Sequence, residues 1–99
     1  MKILLVCAGG MSTSILMKKM EKYWADQGDE LQIEAVGVAG CSDVASKYDI
    51  CMVGPQVSYR LKDIKESTGL PCAPIASLDY AIGDCPKIMK LAQELYAQK

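Results

Sequence analysis

The chain has 99 residues, 51% of them hydrophobic and 23% charged, with eleven Lys and Arg against twelve Asp and Glu and no histidine. That length suits one domain, residues 1–99, with a single core and a globular rather than disordered balance. A net charge of −1 without a basic cluster argues against nucleic acid or an anionic membrane surface as partner, and no apolar run is long enough to span a bilayer.

Residues 2–7, KILLVC, form a short apolar run ended by a Gly-Gly pair, the pattern of a strand buried on both faces. The stretch has a lysine and an apolar core like a signal sequence, but it is too short for one and runs on into folded-type sequence. It therefore reads as a strand of a cytoplasmic protein. From residue 14 the period changes. Leu16, Met20, Tyr23 or Trp24 and Gln27 mark one face of an amphipathic helix, with Ser12 or Thr13 as N-cap and Gly28 as its stop. Lys18, Lys19 and Lys22 fall on its solvated side.

The alternation in LQIEAVGV predicts a second strand near 31–36, CSDVASKY suits a short helix, and DICMVG is a third strand closed by Gly54-Pro55. QVSYRLKDIKESTG reads as a helix with Val57, Leu61 and Ile64 inward and Gly69 at its end. PCAPIA is a fourth strand, and its two prolines suit a sheet edge because proline has no ladder donor. Residues 77–83 read as a loop. The last helix runs from Asp84 to Gln98, with Pro86 in its first turn and Ile88, Leu91, Ala92 and Leu95 inward. Strands alternating with helices predict an α/β fold: a four-stranded parallel sheet with helices on both faces and right-handed crossovers. In such sheets ligands bind beyond the carboxyl ends of the strands, where Cys7 lies.

Five cysteines, with no CxxC pair and no histidine, do not make a zinc site, and no metal or cofactor is expected. Cys41, Cys51, Cys72 and Cys85 read as reduced, mostly buried thiols. Cys7 is different. It stands at the mouth of Ala8-Gly9-Gly10-Met11-Ser12-Thr13-Ser14, a turn whose amides can point at an anion and which opens a helix at its positive end. A cysteine at such an end has a stabilised thiolate. The loop reads as a phosphate-sized cradle with a nucleophile at its rim, Ser12, Thr13 and Ser14 adding hydroxyls beyond helix capping, and Met11 offering an apolar contact to a partner.

The loop has no Walker A lysine and no G-x-G-x-x-G. A cysteine phosphatase of the low-molecular-weight tyrosine type would place an arginine where Thr13 stands, and no Asp-Pro pair exists to supply that family's general acid. Without the arginine clamp the pocket can hold a phosphocysteine but is poorly equipped to hydrolyse it. Two other readings stay open at this point: a degenerate cysteine phosphatase, and a module in which Cys7 cycles through sulfenic acid or a mixed disulfide.

Cys7 through Ser14 directly after KILLV resembles the IIB component of bacterial sugar phosphotransferase systems of the lactose/cellobiose type, the Met-Ser-Thr-Ser form pointing to the cellobiose/chitobiose branch. Gly54-Pro55-Gln56 with Tyr59, and Ile75 with Tyr80, are similar to further recurring features of that family, although Ala81 stands where a glycine is expected. Read without the resemblance, Gly54-Pro55-Gln56 is a strand end and helix start, and the two tyrosines are half-buried packing residues. The resemblance implies a fold close to the low-molecular-weight phosphatases and a monomeric carrier. It also implies that Cys7 accepts a phosphoryl group from a phosphohistidine on a IIA protein and passes it to a sugar, a cellobiose-like or chitobiose-like disaccharide, bound in the membrane permease IIC. Gly54, Pro55, Gln56, Tyr59 and Tyr80 are then contacts to pocket or partner.

Overall fold

The uniformly apolar run near the start makes β1 (Lys2–Cys7), and both of its faces show why. Ile3 and Leu5 pack into one core and Leu4 and Val6 into another, all four without solvent exposure, each contributing about 1.5–3 kcal/mol of burial. The computed structural model describes residues 1–7 and 12–98, with Ser12 and Thr13 described by their backbone alone.

Three further strands, β2 (Gln32–Gly37), β3 (Ile50–Val53) and β4 (Cys72–Pro74), join β1 in one parallel sheet of order β2-β1-β3-β4. Ile3 lies opposite both Ile33 and Ile50, which fixes the register around the central strand. β4 takes the edge, as its prolines require.

Helices cover both faces. α1 (Ser12–Asp26) and α5 (Cys85–Ala97) lay Leu16, Met20, Trp24, Ile88, Met89, Ala92 and Leu95 against Ile3, Leu5, Ile50 and Met52. α2 (Cys41–Val44) and α3 (Leu61–Thr68) cover the other face, where Cys41, Ala45 and Ile64 meet Leu4, Val6, Cys51 and Val53. Asp84 caps α5 by accepting from the Lys87 N–H, ahead of Pro86 in the first turn.

The short helix expected in 41–48 is α2, with tight turns on either side at Val38–Gly40 and Ala45–Lys47. Three expectations need correction. Gln27 is exposed, so the inward face of α1 ends at Trp24. The helix expected from residue 56 begins as a tight turn, Pro55–Arg60, interrupted where Val57 leaves helical geometry (φ −122°, ψ 16°) and buries its side chain in the cluster that holds Ile64; α3 starts only at Leu61.

Residues 77–83, expected as a loop, form a fifth helix, α4 (Ser77–Ile82). The Tyr80 N–H donates to the Ala76 carbonyl, and Gly83, at φ +67°, closes the helix by donating to Asp79. Ala81 suits a helix better than the glycine the resemblance leads one to expect, by about 1 kcal/mol. None of the described helices is long and apolar enough to cross a membrane.

Candidate active site

In a sheet of this order the chain leaves β1 and β3 toward opposite sides, and a crevice opens at their carboxyl ends. Cys7 is the last residue of β1, 4% exposed, at the boundary between the core and that crevice. Gly54 stands beside it. Its N–H donates to the Val6 carbonyl at 2.8 Å, carrying the β1–β3 ladder one residue past β3. A Cβ placed on Gly54 would lie 3.1 Å from Gln56 Oε1, 3.5 Å from the Val6 carbonyl oxygen and 3.7 Å from Cys7 Cβ. The backbone there is extended (φ −63°), so what glycine supplies is room beside the thiol rather than an unusual conformation.

Of the residues singled out in the sequence, the structure thus brings Cys7, Gly54 and Gln56 together, with Pro55 opening the turn between the last two. Ala8, Gly9, Gly10 and Met11 lie outside the described residues, as do the side chains of Ser12 and Thr13, whose backbone opens α1. Ser14 is exposed in the first turn of α1. The two tyrosines separate: Tyr80 packs half-buried against the core under α1 and α5, whereas Tyr59 is 81% exposed. Among the described residues no three His, Cys, Asp or Glu side chains converge as a metal site would require.

The sequence reading missed the rest of this end of the molecule. A groove of about 190 Å³ runs between α1 and α4, lined by Ile15, Leu16, Lys19, Tyr80, Ala81 and Gly83. Gly83 lets the Lys19 side chain cross it: an added Cβ would stand 3.0 Å from Lys19 Cδ and 3.2 Å from Nζ. Burial pushes the nearby Cys85 thiol up; the Lys19 charge opposes this and Asp84 adds to it.

Among the described residues five large apolar side chains are exposed. Four of them, Ile15, Tyr59, Leu78 and Ile82, are 57–81% exposed and sit on elements that leave the carboxyl ends of β1, β3 and β4. The elements that carry them start from the end of the sheet at which β1 closes with Cys7. The signal for α4 was present in the i, i+4 pair Leu78 and Ile82 followed by Gly83, but six residues are too few for the period to stand out.

A cysteine closing the central strand at the point where the connections part places the chain among doubly wound parallel α/β proteins. A profile of the family described as "PTS system, Lactose/Cellobiose specific IIB subunit" matches residues 2–91, and the chain belongs to that family. It is a phosphotransferase component of a sugar transport system. It is 34% identical to the "PTS system cellobiose-specific EIIB component" of Lactococcus lactis, covering 94% of both chains. It is 33% identical to the "PTS system oligo-beta-mannoside-specific EIIB component" of Bacillus subtilis, covering 95% of this chain and 94% of the relative. The solution structure of the cellobiose-specific phosphotransferase IIB component protein from Borrelia burgdorferi superposes with a TM-score of 0.82 at 34% identity, covering 100% of this chain and 94% of that one. IIB components work with IIA and IIC partners. The "PTS system lactose-specific EIICB component" of Staphylococcus aureus, 26% identical over 79% of this chain and 14% of its own length, carries two of these names on one polypeptide.

Proposed function

We propose that Cys7 is the phosphoryl acceptor of this component and that the donor is a phosphohistidine of a IIA protein. In the first step the Cys7 sulfur attacks phosphorus, the P–N bond breaks, and the histidine nitrogen leaves with the thiol proton. In the second, a hydroxyl oxygen of a sugar held by a IIC permease attacks the same phosphorus. The S–P bond breaks, Cys7 leaves as thiolate, and the hydroxyl proton passes to a base on the partner. The leaving group of the first step and the base of the second belong to the partners, so this chain needs no histidine of its own. The residues from Ala8 to Ser14 hold the thiophosphate, and Thr13 in place of an arginine leaves it resistant to water. The sugar is a cellobiose-like or chitobiose-like β-linked disaccharide, in line with what the relatives are named for. The component works as a monomer on the cytoplasmic side of the membrane and meets IIC transiently.

One observation carries this reading: Cys7 ends the central strand against the space left by Gly54, within a rim of exposed apolar side chains fit for a protein partner. Exposed apolar surface of this kind marks interaction sites. Gly54, Pro55, Gln56, Tyr59 and Tyr80 are assigned to pocket or partner contact on the same ground.

The test is incubation with phosphoenolpyruvate, the general phosphotransferase proteins and a cognate IIA, followed by intact-mass measurement. One phosphoryl group, stable for hours and absent from Cys7→Ser, is the expected result. Absence of an adduct on Cys7 sinks the proposal, and release of phosphate from a simple aryl phosphate without partners would make the protein a phosphatase instead.

A further inference from the structure

The sheet face away from α1 and α5 buries three cysteines that the proposed chemistry does not use, Cys41, Cys51 and Cys72, in one cluster. Two of them are side by side. β3 and β4 set Cys51 opposite Cys72 in register, and the Cys51 N–H donates to the Pro71 carbonyl at 2.9 Å, which holds that register. Neighbouring strands lie about 4.8 Å apart, within the roughly 4.4–6.8 Å between Cα atoms that a disulfide spans. The Cys72 thiol donates to the Leu70 carbonyl at 3.2 Å on the same face as Cys51. Cys41 is engaged separately, donating to the Val38 carbonyl at 3.1 Å and touching Ser67 Oγ at 3.8 Å.

The pair is asymmetric. Cys51 has no solvent exposure, and its thiol is pushed up, first by the neighbouring Cys72 and then by burial. Cys72 lies on the edge strand with 5% exposure. Its thiol is lowered first by the neighbouring Cys51 and then, against the opposing effect of burial, by the Thr68 hydroxyl and the Lys65 charge. Thr68 Oγ1 stands 3.5 Å from Cys72 Sγ. One sulfur ionises easily and the other keeps its proton, the division of labour of an attacking and a resolving thiol.

The geometry assigns Cys51 and Cys72 as an oxidation site: under a peroxide they close to an intrachain disulfide linking β3 to β4, separate from Cys7. The Cys72 thiolate attacks one oxygen of hydrogen peroxide, the O–O bond breaks, and hydroxide leaves while Cys72 becomes a sulfenic acid. The Cys51 sulfur then attacks the Cys72 sulfur, the S–O bond breaks, and the oxygen departs as water with the Cys51 proton. Two thiols lose two electrons to one peroxide.

The experiment uses the folded Cys7→Ser protein, so that the sulfur of the proposed relay is silent. After a peroxide titration, intact mass and unreduced peptide mapping are expected to show the loss of two hydrogens and a single Cys51–Cys72 linkage. The linkage reverses fully with dithiothreitol, and the oxidised form melts several degrees higher. Cys72→Ala, checked for native circular dichroism, shows no such loss; the mapping needs no substitution at either sulfur, so it stands if that variant fails to fold. A linkage through Cys41, or sulfinic acid on Cys72 without linkage, overturns the assignment. So does an unchanged mass at a peroxide level that fully oxidises the denatured chain.

Discussion

The two ends of the sheet are built on opposite plans. At the amino end polar groups are tied to one another: the Lys2 N–H donates to Asp49 Oδ2 at 3.2 Å, Asp49 N–H to the Lys2 carbonyl at 2.9 Å, and the Tyr48 hydroxyl to Glu34. On the elements that leave the carboxyl end, Ile15, Tyr59, Leu78 and Ile82 are left in water. A molecule that needed only stability would cover those side chains. The fifth exposed apolar side chain, Tyr96, lies beside Met1 and Asp49 at the amino end, so the exposure is concentrated, four to one, at the end that carries Cys7, as expected where that end meets other surfaces.

Substitutions at the two ends should therefore separate transfer from stability. The largest effect is expected at Gly54. Gly54→Val puts branched carbons against Gln56 and the Cys7 side chain and lowers the rate of phosphoryl acceptance about a hundredfold. Gly54→Ala, whose Cβ meets only the movable end of Gln56 closely, retains most of it. A mass-based time course of phosphorylation distinguishes the two. Next comes Thr13→Arg, which supplies the missing clamp and shortens the lifetime of the phosphorylated protein in buffer by about tenfold. Phosphoprotein decay measured without partners checks it, and an unchanged lifetime removes the role assigned to Thr13.

Smaller is the effect of recharging the rim. Leu78→Glu with Ile82→Glu slows transfer from the donor protein several-fold while leaving the unfolding free energy from urea melts within about 0.5 kcal/mol, because both side chains are exposed. If the double variant accepts phosphate at the parent rate, the rim is not a docking surface. The smallest effect on transfer, none, is expected at the amino end. Tyr48→Phe costs about 1 kcal/mol or less and leaves phosphorylation unchanged. It also removes a pH dependence. Burial first, and then the hydrogen bond and charge of Glu34, push the Tyr48 hydroxyl from 10.0 up to about 12. Below pH 10 both folded and unfolded chains keep the proton; between about pH 10 and 12 only the folded chain does. Stability therefore falls as pH rises through that window, and urea melts at its two ends should show the fall in the parent and not in Tyr48→Phe.

Much of this was legible in the residues. β1 announced itself as an unbroken apolar run and α1 as a change of period, and the prolines of β4 predicted its place at the edge. Cys7 was legible as a strand-end thiol because the glycine and hydroxyl residues after it break the pattern at once. What stayed hidden has identifiable physical reasons. α4 is under two turns long and its N-cap is Ala76, which has no polar side chain to signal a helix start. The neighbourhood of Cys51 and Cys72 depends on strand order, which brings residues from separate strands into register. Tyr59 and Tyr80 look alike in sequence, and only the turn after β3 and the packing of α4 decide that one is bare and the other half-covered.

β4 has a consequence beyond topology. An exposed strand edge is a template on which another chain can add a strand. Here that edge is three residues long and ends in Pro74, which has no N–H to offer, and Pro71 precedes it. The opposite edge, β2, carries Glu34, held by Tyr48. Backbone-mediated self-adhesion is thus blunted at both margins of the sheet, so that encounters fall to the side chains around Cys7. Side-chain contacts, unlike an added strand, release as readily as they form, which suits the proposed relay between two partners.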